Sequence, residues 1–458
     1  MLEKSIKMNQ SLIKKYNVPG PRYTSYPTVP YWHKSPSQEE WKSHLRNAFQ
    51  CSNSSEGISI YIHLLYCESM CSYCGCHTSI SKNHKVEEPY IKSLLQEWNL
   101  YTDLFDEKPV IRELHLGGGT PTFFSPENLR LLIEGILDGS ELADYYSFSF
   151  EAHPKSTSIA HLQTLYDIGF RRLSLGIQDF DPKVQDIVNR VQPFEMVEEV
   201  VNNARRIGYT SINFDLIYGL PLQNIQTVER TIELSNKLRP ERIAYYSYAH
   251  VPWIKPTQRK FTESDLPEDD QKRALYELGK KMFEDSGYVE IGMDHFALAH
   301  DDLSIAMKED KMHRNFMGYT NQKTELMIGL GVSSISDSWT AFAQNTKSLS
   351  EYKTMINNGQ LPIYRGHVLD DEDLFLRRLI LDLMCNLKAN WSENNFEEII
   401  HSALNDLEMM ENDNLIKRSE GNVVVTEQGR PFIRNVCMAF DAHLNRSKPD
   451  NQLFSKTV

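Results

Sequence analysis

The sequence predicts an α/β fold with a run of parallel strands followed by a mainly helical C-terminal part. Apolar strand-like segments alternate with amphipathic helix-like segments from about residue 58 to 250, this rhythm weakens afterwards, and helical patterns dominate from about His367. Such alternation implies right-handed βαβ units and a parallel sheet. Six units could form an open doubly wound sheet or a partly closed barrel, and the periodicity alone leaves both open.

Six candidate strands carry this alternation: Ile58–His63, Arg112–Leu116, Tyr146–Glu151, Arg172–Ile177, Ile212–Ile217 and Arg242–Tyr248. Ser125 followed by a proline is a typical helix start, because the hydroxyl can cap the helix and proline suits its first turn. Two further helices are predicted over Ile159–Ile168 and Val197–Ile207. Each is followed by a glycine, Gly169 or Gly208, as is common after a helix end.

The C-terminal part resembles a small winged-helix layout. We predict helices over Asp371–Leu387 and Ser392–Met409, a hairpin-like stretch over Leu415–Thr426, and a last helix over Gly429–Leu444. The acidic character of this part argues against a DNA-reading wing. A structural or substrate-covering role fits better.

Composition is that of an ordinary soluble protein of 458 residues, with 40% hydrophobic and 24% charged residues. There is no apolar run of transmembrane length and no signal-peptide-like segment, so we expect a cytoplasmic protein. The net charge of −13 argues against non-specific nucleic-acid binding. It also means that an anionic substrate would need cations concentrated locally.

Four of the seven cysteines fall between positions 67 and 76. Cys67, Cys71 and Cys74 follow the first predicted strand with C-x3-C-x2-C spacing. Three thiolates in one short loop can bind three irons of a cubane cluster. The fourth iron then lacks a protein ligand, and an open metal position is where chemistry can occur.

A structural zinc site is the alternative for this loop. Zinc sites usually combine two separated pairs of ligands. Cys385 and Cys437 stand alone, although His63 and His77 lie near the loop. The spacing and context favour iron–sulfur over zinc.

A glycine segment, Leu116–Thr122, follows the second predicted strand with the sequence Leu-Gly-Gly-Gly-Thr-Pro-Thr. Consecutive glycines let backbone amides approach a ligand closely. It is not a phosphate-binding loop of the Walker type, because no Gly-Lys-Ser/Thr follows. An ordinary tight turn remains an equal alternative at this point.

Later strands end in polar residues, namely Glu151, Gln178 with Asp179, and Asp215, and Arg190 follows in the same region. Any one of them could be a solvated strand end. Their recurrence at successive strands favours a crevice at the carboxyl edge of the sheet.

The cysteine loop resembles that of radical S-adenosylmethionine enzymes, and over nearly its whole length the chain is similar to oxygen-independent coproporphyrinogen III oxidases. The matching pieces are Gly20–Thr28, the cysteine loop with the additional Cys76, Leu173–Phe180, Asp215–Pro221, Tyr248–His250, Gly292–Phe296, His313–Phe316, Gly329–Ser336 and Arg434–Met438.

The resemblance implies one 4Fe–4S cluster on the three cysteines and two S-adenosylmethionine molecules. The residues that match contacts to the molecule on the cluster are Tyr61, Gly118, Glu151 and Ile335. The residues that match contacts to the second molecule are Tyr73, Gly119, Thr120, Gln178, Arg190, Asp215 and Ala249. The radical forms on the cofactor, so no catalytic side chain is implied.

The fold that the resemblance implies is a partial (β/α)6 barrel with an N-terminal segment and a mainly helical C-terminal domain. We expect a substrate-covering segment over residues 1–50 and the barrel over 51–300. A barrel extension or connector is expected over 301–365, and the winged-helix-like helical domain over 366–458.

Two positions depart from the family pattern. Leu64-Leu65-Tyr66 stands where Ile-Pro-Phe is usual, and His153 stands where Asp is usual. Neither is a cluster ligand. Both bear on the details of the pocket.

The implied reaction is the decarboxylation of two propionates of coproporphyrinogen III to vinyl groups. Arg22 and Arg314 are candidate cations for the propionates. We expect a monomeric enzyme that uses an electron donor and a terminal electron acceptor, neither of which the sequence identifies. The alternatives are a haem chaperone of the same superfamily, a radical haem-degrading methyltransferase, and a haem carrier with a merely structural cluster.

Overall fold

A computed structural model describes residues 11–253, 255–391, 397–447 and 454–457. The strands of these residues are β1 Ile58–Leu64, β2 Tyr66–Cys67, β3 Ser79–Ile80, β4 Val110–Gly118, β5 Glu141–Ala152, β6 Arg172–Gln178, β7 Ser211–Tyr218, β8 Arg242–Ser247, β9 Tyr288–Gly292, β10 His295–Leu298, β11 His313–Asn315, β12 Gly318–Thr320, β13 Leu326–Leu330, β14 Ile335–Asp337, β15 Ala341–Asn345, β16 Ile363–Val368, β17 Lys388–Asn390, β18 Ile416–Ser419 and β19 Asn422–Val425.

The helices lie mostly between these strands. They are α1 Gln38–Ser52, α2 Glu87–Thr102, α3 Pro126–Leu137, α4 Ile159–Asp167, α5 Pro182–Ile187, α6 Phe194–Ile207, α7 Ile225–Leu238, α8 Asp269–Asp285, α9 Asp302–Lys308, α10 Leu349–Asn357, α11 Asp371–Asn386, α12 Glu397–Asn412, α13 Ile433–Ala439 and α14 Ala442–Arg446.

The large sheet has the order β16-β15-β14-β13-β1-β4-β5-β6-β7-β8-β10-β9. From β1 to β8 its parallel strands lie side by side in chain order. A doubly wound sheet would reverse its order at a switch point. The constant order confirms the partial barrel. The barrel stays open because its two outer strands do not pair with each other: β1 pairs on its other side with β13, and β8 pairs with β10.

All six predicted barrel strands are confirmed, with ends that differ by a few residues. The predicted start of one helix and the predicted ends of two others are confirmed as well. Ser125 accepts a hydrogen bond from the amide of Asn128 at 3.2 Å. Gly169 and Gly208 have φ values of 107° and 120°, a region that favours glycine.

The two faces of the barrel strands differ in character. Along β6 the residues Leu173, Leu175 and Ile177 are buried, whereas the residues between them are partly accessible. Because side chains alternate across a strand, the apolar set faces the helices and the other set faces the barrel interior. The interior is therefore lined by small and polar side chains.

The C-terminal helices pack on a three-stranded sheet with the order β17-β19-β18. The predicted hairpin corresponds to β18 and β19, and the predicted helix from Ser392 begins outside the described residues. The prediction of one last helix is wrong, since that stretch is a 3₁₀ turn followed by α13 and α14. Asp441 separates the two helices because its side chain caps α14, accepting from the Leu444 amide at 2.9 Å.

The N-terminal segment is anchored in the C-terminal core. Leu12, Tyr16, Tyr23 and Tyr26 are buried members of the hydrophobic cluster formed there. Arg434 donates to the carbonyl of Pro21 at 2.8 Å. Among the described residues, no helix is both long and apolar enough to cross a membrane.

Replacing Tyr26 should therefore lower the stability of the fold. The ring is 2% exposed, so Tyr26→Ala should cost about 3 kcal/mol or more in the free energy of unfolding through the cavity it leaves. Tyr145→Ala is the matched control, because Tyr145 is 78% exposed. Thermal unfolding checks this, and equal melting temperatures for the two variants would contradict it.

Candidate active site

The cysteine loop leaves β1 at the carboxyl edge of the barrel and is held by backbone hydrogen bonds. The amides of Ser79 and Ser81 donate to the carbonyls of Leu65 and Cys67, each at 2.9 Å. On the other side, the Asn189 side chain donates to the Met70 carbonyl at 2.8 Å. The loop is thus fixed at both flanks.

The glycine segment is attached directly to this loop. The amides of Gly119 and Thr120 donate to the carbonyls of Leu64 and Tyr66 at 2.8 and 2.9 Å. A Cβ at Gly119 would lie 2.7 Å from the Tyr66 carbonyl oxygen. A Cβ at Gly118, whose φ is 107°, would lie 2.6 Å from the His63 ring. The glycines are therefore needed for this close approach of the two segments.

His63 is a hydrogen-bonded residue beneath the loop. Its Nε2 lies 2.8 Å from the carbonyl oxygen of His77, and its Nδ1 lies 3.2 Å from the hydroxyl of Tyr61. Nε2 must carry the proton to bond a carbonyl, so Nδ1 accepts from Tyr61. Burial lowers the pKa of His63 and keeps the ring neutral.

The three thiols line one end of a cavity of about 360 Å³. All are free cysteines. Burial raises the pKa of Cys67 to about 11, and the Thr120 hydroxyl lies 3.2 Å from its sulfur. The guanidinium of Arg190 lies 3.6 Å from the sulfur of Cys71.

Arg190 is held in place by the Gly176 carbonyl, to which its Nε and Nη2 donate at 3.1 and 2.6 Å. It faces His153, where the family usually carries Asp. Burial, followed by the charge of Arg190, lowers the pKa of His153 to about 3. A neutral imidazole thus stands where the family usually carries a carboxylate. His153 therefore does not neutralise the charge of Arg190, which lies beside the cavity and the sulfur of Cys71.

Two carboxylates face the cavity, Glu151 from β5 and Asp215 from β7. Glu151 lies 3.6 Å from Nε2 of His115. Asp215 accepts from the Ser174 hydroxyl and the Asn213 amide, each at 2.9 Å. Burial, with repulsion from Glu151, raises the pKa of Asp215 to about 6. These side chains can accept hydrogen bonds from a polar ligand.

The structure brings most of the predicted site residues together around this cavity. The predicted residues that line it are Cys67, Cys71, Tyr73, Cys74, Gly118, Gly119, Thr120, Glu151, Gln178, Arg190 and Asp215. Tyr61 lies behind the lining, its ring stacked on that of His115 with centroids 6.0 Å apart. Ile335 on β14 and Ala249 after β8 are outside the lining.

Asp179 does not join the cavity. It is buried on the helix side, where it accepts from Gln223 at 2.6 Å and from Thr231 at 3.0 Å. The strand register shifts between Gly176 and Gln178, and Gln178 has a φ of 67°. This irregularity turns Gln178 toward the cavity and sends Asp179 to the opposite side.

Arg22 and Arg314 lie behind an aromatic wall of the cavity. Arg22 pairs with Asp294 and lies over the Tyr246 ring. Arg314 lies 4.4 Å from the Tyr319 ring centroid and donates to backbone carbonyls of the N-terminal segment. Neither guanidinium is part of the cavity lining.

Several cavity residues were not predicted, among them His115, Ser174, Asn213, Arg172 and His295. The first four share a signal, because each alternates with buried apolar residues on its strand. His295 comes from β10, which the strand–helix rhythm did not predict.

A cluster of His367, Asp373 and His443 lies away from this cavity. The two Nε2 atoms are 3.0 and 2.7 Å from the Asp373 oxygens. The His33 amide donates to Nδ1 of His367 at 3.3 Å, which puts the ring proton on Nε2. The geometry is that of a hydrogen-bonded triad joining three parts of the chain, since a metal would need that nitrogen unprotonated.

Comparisons with known proteins show which family the chain is similar to. The radical SAM superfamily model matches residues 61–235. An oxygen-independent coproporphyrinogen III oxidase from Synechocystis is 36% identical over 99% of both chains, and one from Helicobacter pylori J99 is 38% identical over 97% of this chain and 98% of its own. The solved coproporphyrinogen III oxidase of Escherichia coli has a TM-score of 0.88 and 34% identity, covering 95% of this chain and 99% of its own.

The open parallel barrel with a cysteine loop at its carboxyl edge therefore defines a radical S-adenosylmethionine protein. Within that superfamily, the chain belongs to the family of oxygen-independent coproporphyrinogen III oxidases. Membership implies a 4Fe–4S cluster and S-adenosylmethionine as cofactors.

A methyl group at Gly119 should disrupt the junction between the glycine segment and the cysteine loop. Gly119→Ala places a Cβ against two carbonyl oxygens of that loop, so it should cost about 2 kcal/mol of stability and lower the iron bound per chain. Gly75→Ala is the control, because Gly75 lies in the same loop with nothing within 4 Å of its Cβ position. Equal iron content and melting temperature in both variants would show that the close approach is not required.

Proposed function

We propose that the chain catalyses the anaerobic oxidative decarboxylation of coproporphyrinogen III to protoporphyrinogen IX in haem biosynthesis. Two propionates become vinyl groups. The observation that carries the proposal is that three free thiols lie beside the glycine segment and line the polar cavity of the barrel. Full-length similarity to coproporphyrinogen III oxidases supports the substrate.

The residues of the site fit the two cofactors. Cys67, Cys71 and Cys74 offer three soft sulfur ligands at one end of the cavity, which suits an iron–sulfur cluster with one open iron. Gly118 and Gly119 let the glycine segment pack directly against the loop that carries these sulfurs. The guanidinium of Arg190 lies 3.6 Å from the sulfur of Cys71, so a positive charge stands beside the proposed sulfur ligands.

The C–H bonds of a propionate are unactivated, so no acid or base side chain can break them at neutral pH. When bound, the cluster and S-adenosylmethionine supply the radical chemistry that this step requires. Each propionate loses one hydrogen atom and one CO2. One electron enters from a reductant and one leaves to an external acceptor, and one S-adenosylmethionine becomes methionine and 5′-deoxyadenosine.

The protein's own residues bind, orient and shield the reactants. The carboxylates of Glu151 and Asp215 line the cavity and can accept hydrogen bonds from a bound ligand. Tyr246, His295 and Tyr319 form a wall of rings that excludes water. Burial and nearby arginines lower the pKa of His295 to about 3, so this wall carries no charge of its own.

Two propionates require two equivalents of S-adenosylmethionine, and we propose that two molecules bind. The residues matched to the first molecule come from β1, β4, β5 and β14. The residues matched to the second come from β6, β7, the loop after α5 and the loop after β8, together with the cysteine loop and the glycine segment. This separation of the two sets around the rim supports two adjacent subsites.

An anaerobic assay tests the function. Reconstituted protein with a reductant, an electron acceptor and S-adenosylmethionine should release two CO2 per protoporphyrinogen IX formed from coproporphyrinogen III. Stoichiometric haem binding without any turnover would contradict the proposal and favour a carrier.

Removal of a cluster thiol should abolish the cluster. Cys67→Ala, Cys71→Ala and Cys74→Ala should each lose the brown chromophore and all S-adenosylmethionine cleavage, because each removes one of only three protein ligands. Cys76→Ala should keep the chromophore. Absorbance and iron analysis check this, and a colourless Cys76→Ala protein would mean that the ligand set is assigned wrongly.

Binding of S-adenosylmethionine should weaken as pH falls through about 6. Asp215 has a raised pKa of about 6 in the ligand-free protein, so its carboxylate, the better acceptor for ribose hydroxyls, is present above that pH and lost below it. Asp215→Asn should bind less tightly at pH 7 by roughly tenfold and show a flatter profile between pH 5 and 7. Asp138→Asn, at an exposed helix end, is the control in equilibrium binding. Identical profiles for the wild type and Asp215→Asn would exclude this role.

A further inference from the structure

The carboxyl end of β6 carries one more residue than the matching stretch of β7. Gly176 is paired with Asp215 and Gln178 with Leu216, so Ile177 is an additional residue on β6. An extra residue of this kind bends its strand and re-aims the side chains that follow it. It therefore decides which side chains of this strand end reach the cavity.

A strained three-residue turn completes this irregularity. The amide of Asp179 donates to the carbonyl of Ile177 at 2.8 Å, and Gln178 between them has a φ of 67°. A γ-turn with a positive φ at its central residue is rare, and a side chain other than hydrogen is strained there. Such strain persists only where the surrounding contacts hold the backbone.

Buried amide side chains hold the carbonyls of this turn. Gln192, which is fully buried, donates from Nε2 to the carbonyl of Gly176 at 2.9 Å and also to the carbonyl of Ile177. Gln185 donates to the carbonyl of Asp179 at 2.9 Å and accepts from the amide of Gln192 at 3.0 Å. The backbone is thus held by side chains on both sides of the central residue of the turn.

The carboxylate of Asp179 holds the same turn from the helix side. Its Oδ1 accepts from the Asp181 amide at 2.6 Å and the Thr231 hydroxyl at 3.0 Å, and its Oδ2 accepts from Nε2 of Gln223 at 2.6 Å. Gln223 is itself oriented, because its Oε1 accepts from the Leu220 amide at 2.9 Å. Hydrogen bonds to an ionised acceptor are among the stronger ones, so this buried carboxylate restrains the turn firmly.

The restrained turn places the side-chain amide of Gln178 beside Arg190 in the cavity. A Cβ at Gly176 would lie 2.6 Å from Nη2 of Arg190 and 2.8 Å from Nε2 of Gln178, so the two groups converge over the same glycine. Within the described ranges of the chain, the Gln178 side chain forms no hydrogen bond. Both its donor and its acceptor therefore remain for a ligand.

We propose that Asp179 is a positioning residue for the second S-adenosylmethionine molecule, an inference that rests on the proposed function. Asp179 touches no reactant. It holds the strained turn so that the amide of Gln178, which the family resemblance matches to that molecule, already has its binding orientation in the free protein. A pre-oriented group loses little conformational freedom on binding, so the affinity is higher than that of a mobile amide.

The test measures anaerobic equilibrium binding of labelled S-adenosylmethionine to the cluster-loaded protein. Asp179→Asn keeps the size of the side chain, but its amide nitrogen would face Nε2 of Gln223, donor against donor, so that bond is lost. The second equivalent should then bind about tenfold more weakly. The first equivalent should bind as it does in the wild type.

A double-mutant cycle separates positioning from a general effect on the fold. Gln178→Gly removes the amide, and glycine adopts the positive φ without strain, so this variant should also weaken the second equivalent about tenfold. Adding Asp179→Asn to Gln178→Gly should cause no further loss, because the amide that Asp179 positions is gone. Losses that multiply in the double variant would overturn the inference.

Asp441→Asn is the matched control in the C-terminal core. Asp441 and Asp179 are each 1% exposed. Asp441 accepts from the Leu444 amide at 2.9 Å and the Tyr23 hydroxyl at 3.0 Å. The control should lower the melting temperature as Asp179→Asn does, yet leave the affinity of both equivalents unchanged. A selective loss of the second equivalent in the control as well would refute the positioning role.

Thr231→Val serves as a second variant if Asp179→Asn does not fold. It removes one of the three donors to the Asp179 carboxylate with little change in volume, and it should weaken the second equivalent severalfold. An unchanged second equivalent in the folded variants, or an equal loss of both equivalents, would overturn the inference. So would a wild type that binds a single equivalent.

Failure of the proposed function gives a different result. A wild type that binds two equivalents and shows the predicted coupling, but forms no protoporphyrinogen IX from coproporphyrinogen III, would refute the proposed reaction and leave the positioning role of Asp179 intact. The two failures are therefore distinguishable.

Discussion

Two backbone hydrogen bonds between the cysteine loop and the glycine segment hold the site together. They run from the amides of Gly119 and Thr120 to the carbonyls of Leu64 and Tyr66. They form only because position 119 has no side chain, since a Cβ there would meet a carbonyl oxygen at 2.7 Å. The position of the thiols relative to the cavity, and of the cavity relative to the other strands, depends on this contact.

The barrel interior provides the second constraint. Its strands bury apolar side chains toward the helices, so the core of the domain lies outside the barrel, and the inner face is free to be polar. Small side chains such as Ser174 and Asn213 leave volume there. An acidic chain can thus hold cations at selected places in that volume, with Arg190 next to the thiols and Arg172 where β6 begins.

Much of the barrel was predictable because local rules govern it. Strand alternation, the cap at Ser125 and the glycines after two helices each depend on a few neighbouring residues. Most of the site residues that the cysteine spacing and the family resemblance predicted line the cavity. Two features depend on long-range packing and could not be predicted from the sequence. Arg22 lies behind Tyr246, and Tyr26 is part of the C-terminal core.

The errors have physical causes. The last helix was predicted as continuous because the apolar periodicity passes through Asp441, whose capping hydrogen bond interrupts it. The side chain of Asp179 was assigned to the strand end, although the irregularity at Gln178 reverses the alternation. Arg172 was overlooked because it begins its strand, where a charge is commonly solvated.

Electron paramagnetic resonance of the reduced cluster, recorded with and without S-adenosylmethionine, tests the central claim most directly. Three cysteine ligands leave one iron open, so the account predicts that adding S-adenosylmethionine changes the spectrum of the wild-type cluster. An unchanged spectrum, in protein that binds S-adenosylmethionine by an independent measurement, would contradict the account, because it would mean that all four irons are already ligated by the chain.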